Sequence, residues 1–187
     1  MQSKKIKSKI VLHACCAVCG AYLTVLLKEK FEPVIFFYNP NVQPEEEYKK
    51  RKESAEGLAK IYGLEFEEGK YEPDKWLEKV RGLEKEPEGK RRCLLCFEAR
   101  LRQTAIFAKS KNIGNFSSTL AASPYKNEKI IAEIGKKISQ EFGLNFLDVA
   151  DISFSKSADW KKAIELAKKC GFYRQNYCGC LFSKNQK

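Results

Sequence analysis

The sequence predicts an α/β fold: a single Rossmann-like domain with a mostly parallel sheet of about five strands and helices on both faces. Short runs of β-branched and aromatic residues alternate with longer segments of helical periodicity. No internal repeat or long linker interrupts the alternation. A chain of 187 residues, 43% hydrophobic, suffices for one domain with a full core.

The first apolar run, residues 9–14 (KIVLHA), reads as strand one, and residues 17–29 follow as a helix. VIFFY at 34–38 is a buried strand that Asn39-Pro40-Asn41 closes as a loop. Pro44 opens a helix that runs to Tyr62, with Gly63 as its stop signal. Residues 64–67 give a third strand. The stretch 72–89 is charged and irregular, with a short helix at 74–80. Residues 93–111 form a helix with Leu94, Leu95, Phe97, Leu101, Ala105 and Ala108 as its apolar positions. A fourth strand at 116–120 ends in the loop Ala122-Ser123-Pro124-Tyr125. Then come a helix at 127–142, a fifth strand at 144–149 and a last long helix at 157–169. The tail from Gly171 is short and aromatic-rich.

The formal charge of +11 favours a polyanionic partner such as nucleic acid. The plainer alternative is a Lys-rich surface that only solubilises. No window reaches the ~18 apolar residues that span a bilayer. The basic start, followed by a short apolar run, does not read as a signal peptide. A cytoplasmic protein with no membrane partner is therefore expected. Eight cysteines in such a chain point to metal binding or catalysis rather than to a disulfide framework.

Strand-loop-helix units place ligands at the carboxyl ends of the strands. In nucleotide-binding folds of the HUP/PP-loop kind the first such loop is Gly-rich, so that backbone N–H groups reach phosphate. Here it reads Cys15-Cys16-Ala17-Val18-Cys19-Gly20. Thiols replace the phosphate loop, which argues against ATP as the main ligand.

Two further groups complete seven of the eight cysteines: Cys93 and Cys96, and Cys178 and Cys180. Cys93 and Cys96 stand at a helix start behind Lys90, Arg91 and Arg92. The positive end of a helix stabilises thiolates, there and at Cys15 and Cys16. Two thiolates from each helix end match the four ligands of an iron–sulfur cluster. A structural zinc site and a metal-free dithiol also fit C-x-x-C, although vicinal cysteines make a poor zinc knuckle. Cys178-Gly179-Cys180 either closes a reducible disulfide that stores two electrons or ligates metal. Cys170 reads as a core residue, and the sole histidine, His13, as a packed strand residue.

Several motifs occur together: His13-Ala14-Cys15-Cys16-Ala17-Val18-Cys19, Tyr38-Asn39-Pro40-Asn41, Glu47-Tyr48 with Arg51, and Cys93-x-x-Cys96 with Arg100-Leu101 and Thr104-Ala105. Ser118-Thr119-Leu120 with Ser123-Pro124-Tyr125, and Tyr173-Arg174-Gln175-x-Tyr177-Cys178-Gly179-Cys180, extend the set. With them the chain resembles the cobalamin-independent epoxyqueuosine reductases, the QueH family. The resemblance implies one iron–sulfur reductase domain over residues 1–187 and an oxidoreductase of tRNA processing. The implied reaction removes the epoxide oxygen of epoxyqueuosine in a tRNA anticodon loop, the last step of queuosine biosynthesis. It implies a [4Fe–4S] cluster on Cys15, Cys16, Cys93 and Cys96, and a redox-active pair at Cys178 and Cys180. An additional mononuclear iron is also implied, with Cys19 and the C-x-C thiols as candidate ligands. An external electron donor is needed.

For the substrate pocket the expected residues are Tyr38, Asn39, Asn41, Tyr48, Arg51, Ser123, Tyr125, Arg174 and Tyr177, since RNA loops are read by stacking and by polar contacts. Core packing is the plainer role for Tyr38 and Tyr48. Arg91, Arg92 and the Lys-rich N-terminus are expected to meet the RNA backbone, and Tyr38, Tyr125, Tyr177 or the thiols to donate protons. The family's Asp-Phe-Arg-Lys stretch reads Ser153-Phe154-Ser155-Lys156 here. Asp148, Asp151 and Asp159 lie near enough in sequence to replace that aspartate. Two other readings are a zinc-stabilised RNA-binding domain without catalysis and a tRNA thiolation-type enzyme. The latter needs the Gly-rich pyrophosphate loop that is missing after strand one.

Overall fold

The computed structural model describes residues 7–184. In chain order the elements are β1 (Ser8–His13), α1 (Ala17–Lys30), β2 (Phe31–Phe37), α2 (Glu45–Tyr62), β3 (Glu65–Glu68) and α3 (Pro73–Lys79). They continue with α4 (Arg91–Ser110), β4 (Asn115–Ser118), α5 (Glu128–Phe142), β5 (Asn145–Phe146), α6 (Lys156–Lys169) and α7 (Leu181–Lys184).

The strands form one sheet in the order β3-β2-β1-β4-β5, and every pairing is parallel. β1 is central, and its residues Ile10, Val11, Leu12 and His13 are fully buried. That is why the run is continuously apolar rather than alternating: helices cover both faces. From β1 the chain steps outward through α1, β2, α2 and β3. It then returns across the sheet by α3 and α4 to β4, and steps the other way through α5 to β5. Right-handed crossovers in opposite directions place the two helix layers on opposite faces. Accordingly α1 packs against α2 and α6, and α4 against α5. The expected Rossmann-like architecture is the observed one.

Element boundaries differ in informative ways. β2 starts at Phe31, because its pairing with β1 begins at Ser8↔Phe31 and carries Pro33 opposite Ile10. β5 shrinks to two residues. Asp148 Oδ1 accepts from the N–H groups of Ala150 and Asp151 and turns the chain out of the sheet. α4 starts at Arg91, so Cys93 lies inside its first turn. α2 ends as expected on Gly63, in the left-handed conformation at φ 62. The tail folds into the short helix α7. Among the described residues no helix is long and apolar enough to cross a membrane.

Candidate metal centre

β2 and β4 leave opposite sides of β1, so the loops after β1 and β4 diverge and open a crevice at the carboxyl edge. Cys15 and Cys16 sit in that crevice, with Cys16 as the N-cap of α1 and Cys19 in its first turn. The three Sγ atoms lie within 4.8 Å of one another, and all three residues are buried. Thr119, from the loop after β4, ties the site across the switch point. Its Oγ1 accepts from the Cys15 N–H at 3.1 Å and lies 3.3 Å from the Cys15 Sγ.

The three thiols are unequal in acidity. Hydrogen bonds from Cys16 and Cys19 hold the Cys15 thiol well below its ordinary pKa, helped by the charges of Arg100 and Lys126. The bond to Cys15 pushes Cys16 up to about 11, and the bonds to Cys15 and Cys16 raise Cys19. Such a nest favours the thiolate at Cys15 over those at its neighbours, and binding a cation there would displace the remaining thiol protons. Thiolates are soft ligands suited to iron–sulfur, zinc or copper(I).

The other cysteine pairs meet in an adjoining cavity of about 50 Å³, lined by Cys93, Cys96, Cys178, Cys180, Asn41, Trp76, Arg92 and Arg100. Burial pushes Cys96 up to about 11 and also raises Cys93 and Cys180. The Gly89 N–H donates to Cys93 Sγ at 3.1 Å, and the Cys180 N–H to Cys178 Sγ at 3.4 Å. A wider cavity of about 620 Å³ adjoins it, with Cys15, Cys19, Ser123, Tyr125, Trp160, Arg174 and Tyr177 in its walls. That volume suits a nucleoside-sized ligand. Glu88, Arg100, Tyr125, Lys126 and Cys178 line both cavities.

The C-terminal cysteine loop is held by buried charge. Arg51 Nη1 donates to the carbonyl of Cys178 at 3.0 Å, and Nη2 to that of Tyr177 at 2.9 Å. Glu47 pairs with Arg51 at 2.7 Å and accepts from the Tyr173 hydroxyl at 2.7 Å. The Gln43 N–H donates to the Gly179 carbonyl at 2.8 Å, and the Tyr177 hydroxyl donates to the Gln43 carbonyl. Gly179 has φ +102, and a Cβ there would lie 2.8 Å from Val42 Cγ2 and 2.9 Å from Arg51 Nη1.

The expected pocket residues therefore divide. Ser123, Tyr125, Arg174, Tyr177 and Arg51 line the wide cavity, and Asn41 the narrow one. Asn39 is buried and bridges loops: its Nδ2 donates to the Ala14 carbonyl, and its Oδ1 accepts from Arg100 at 2.5 Å. Tyr38 is half-buried and stacks on Phe36, outside the linings of both cavities. Tyr48 packs against Phe37 and Tyr71 and donates to Glu68 at 2.8 Å, which is the core role. Arg92 corrects the expectation of RNA-backbone contact. It is 1% exposed, and its Nη1 is taken by the carbonyls of Leu83, Glu84 and Glu86. Arg91 remains on the surface and pairs with Glu86 at 3.6 Å. Residues 1–6 of the Lys-rich start lie outside the described residues.

Five participants lie outside the expected site residues: Arg100, Thr119 and Gln175, which stand in the motifs without an assigned role, and Lys126 and Trp76, which carry no motif. Gln175 Nε2 donates to Cys16 Sγ at 3.0 Å. Arg100 is 3% exposed and touches three elements. It donates to Cys96 Sγ at 3.8 Å and to Asn39, and its Nε lies 3.4 Å from His13 Nε2, which is 3.1 Å from the Tyr38 carbonyl. Burial and the Arg100 charge lower the His13 pKa to about 3, so the ring is neutral, with Nδ1 2.9 Å from Ser118 Oγ. The signal for Arg100 was its place four residues after Cys96, on the same helix face. Together, thiols in two adjoining cavities, two cations and inward N–H donors fit a negatively charged metal–sulfur group.

Comparison with known proteins places the chain in a family. The family model for "Epoxyqueuosine reductase QueH" matches residues 10–186. The epoxyqueuosine reductase QueH of Thermotoga maritima is 37% identical over 177 residues, covering 93% of this chain and 89% of that protein. That of Acinetobacter baylyi is 35% identical over 176 residues, covering 94% and 80%. A crystal structure described as a predicted subunit of a tRNA methyltransferase from Methanocaldococcus jannaschii superposes with a TM-score of 0.51. It is 12% identical and covers 89% of this chain and 93% of that one, a likeness of fold alone.

Proposed function

The chain belongs to the epoxyqueuosine reductase QueH family, a family of oxidoreductases, and from that premise we propose that it deoxygenates epoxyqueuosine in a tRNA anticodon loop to queuosine. The whole chain acts as one iron–sulfur reductase domain in this reading. The observation that carries it is Cys178, which lines both the narrow thiol cavity and the wide nucleoside-sized one.

The reaction consumes two electrons and two protons, breaks both epoxide C–O bonds, and yields an alkene and water. Cys178 and Cys180 can supply both electrons and both protons by closing to a disulfide. An external electron donor then reopens it. Gly179 lets the loop turn at φ +102, and Arg51 fixes the carbonyl of Cys178 beside it. When bound, a [4Fe–4S] cluster on Cys15, Cys16, Cys93 and Cys96, with a mononuclear iron beside it, supplies single electrons and Lewis acidity toward the epoxide oxygen. Cys19, in contact with Cys15 and Cys16, is the candidate thiol for that second iron.

Arg100 and Lys126 offset the negative charge of the thiolates from both cavities. Tyr125 stands at the mouth, 82% exposed, where a base can stack on its ring and its hydroxyl can pass a proton. Arg174 and Ser123 offer polar contacts in the same wall. The Tyr177 hydroxyl is already committed to the Gln43 carbonyl, so its role is to shape the pocket. The net charge of +11 favours the tRNA backbone.

The test is anaerobic purification, iron and zinc analysis, and incubation with epoxyqueuosine-containing tRNA and a reductant. Queuosine formation by an iron-loaded brown protein is expected. A colourless zinc protein, or a brown one that leaves the epoxide intact, overturns the proposal.

A further inference from the structure

Trp76 is an expensive residue for its position. It lies on α3, 3% exposed, packed with Val80 and Cys96 in a small apolar cluster. A buried indole N–H normally finds an acceptor. Here Nε1 is buried and has none. Leaving such a donor unpaired is unfavourable, and phenylalanine would keep an aromatic ring there without the donor.

The orphaned atom is not isolated. Arg92 Nε and Asn41 Oδ1 are likewise buried without partners. Trp76, Arg92 and Asn41 all line the narrow cavity that Cys93, Cys96, Cys178 and Cys180 share. Asn41 Oδ1 can only accept, but the other two, Trp76 Nε1 and Arg92 Nε, are donors, and beside four thiols they mark a place for an occupant that accepts hydrogen bonds. Sulfur in a metal–sulfur group is such an acceptor, and it carries negative charge.

We infer that the Trp76 N–H donates a hydrogen bond to sulfur of the metal–sulfur group held in this cavity, and so makes that group easier to reduce. The inference rests on the iron–sulfur reading above. A donor facing sulfur stabilises the more negative, reduced state, which is how hydrogen bonds raise cluster potentials. The competing occupant is a buried water, for which Trp76 Nε1, Arg92 Nε and Asn41 Oδ1 would supply the two to four polar partners it needs, and the potential of Trp76→Phe decides between the two.

The experiment compares native protein and Trp76→Phe, both reconstituted anaerobically with iron and sulfide. Iron per chain, far-ultraviolet circular dichroism and the reduction potential are read for each. Trp76→Phe should keep its iron and its fold, while its cluster becomes harder to reduce by about tenfold in the equilibrium constant, which is 59 mV for one electron. A fully loaded Trp76→Phe with the native potential overturns the inference and leaves the iron–sulfur reading standing. A native chain that takes up no iron overturns both. As a second readout, Trp160→Phe leaves Trp76 as the sole tryptophan of the two in the chain. Its emission should be strongly quenched on reconstitution, and emission equal to that of the metal-free protein overturns the inference.

Discussion

Arg51 on α2 donates from Nη1 to the carbonyl oxygen of Cys178 at 3.0 Å, joining residues 127 apart in sequence. The guanidinium is 2% exposed and its partner Glu47 is 8% exposed, so neither charge has much water to fall back on. Removing one partner leaves the other buried alone. Arg51→Met should therefore destabilise the fold by about 3–5 kcal/mol in urea titration. It should also lower turnover by more than any loss of iron explains, because the C-x-C loop loses its anchor.

Cysteine substitutions separate ligands from the electron store. Cys93→Ser should bleach the visible absorption of the iron-loaded protein. Cys178→Ser should keep the colour and lose turnover, as measured by spectrum and queuosine yield. If Cys178→Ser bleaches the protein, the C-x-C pair is part of the ligand set.

Gly179→Ala forces a side chain onto a backbone at φ +102, with Val42 and Arg51 under 3 Å away. A cost of about 1–3 kcal/mol is expected from the left-handed strain alone. Turnover should fall with it, while iron bound by Cys15 and Cys16 is retained, as read by metal analysis.

Asp159 makes α6 sensitive to acid. It accepts from Lys162 at 2.8 Å and from the Ser155 N–H at 2.8 Å, which caps the first turn. The Lys162 bond, then the Ser155 N–H, hold its pKa below the ordinary 3.8. A depressed carboxylate stabilises the fold above its unfolded pKa and loses that contribution as pH falls through the folded value. Asp159→Ala should thus cost about 1 kcal/mol near pH 7. The gap in Tm between variant and native should close as pH falls below about 4.

Tyr48→Phe should cost about 1 kcal/mol, the typical worth of its bond to Glu68. The KM for tRNA should not change, because Tyr48 packs on Phe37 and Tyr71 rather than in a cavity wall. A raised KM would return Tyr48 to the pocket.

The alternation of strands and helices was legible because its signals are local: β-branched runs, Pro44, Gly63 and helical spacing. The order of strands was not, since placing β4 beside β1 depends on a crossover that leaves no local mark. The first cysteine loop was legible as a ligand site through its place after strand one. Arg51 was picked for its motif, but its work on the Cys178 carbonyl spans 127 positions and no spacing rule reaches that far. Arg92 misled because a basic pair before a cysteine looks like surface charge. The carbonyls of Leu83, Glu84 and Glu86 that consume it come from an irregular loop without periodicity. Trp76 gave no signal because an unpaired indole is visible only in three dimensions.

The contacts of Arg100 bear on how this sequence can drift. One guanidinium serves the Cys96 thiol, the His13 ring and the Asn39 amide, and Asn39 in turn holds the Ala14 carbonyl beside Cys15. Residues that share a network do not change independently, and their effects do not add. Loss of Arg100 removes a contact from Cys96, His13 and Asn39 at once, whereas loss of any one of those leaves Arg100 with the other two. Substitutions at Arg100 and its partners are therefore expected to act jointly on the thiol crevice, which a double-mutant comparison would read as non-additive loss of stability.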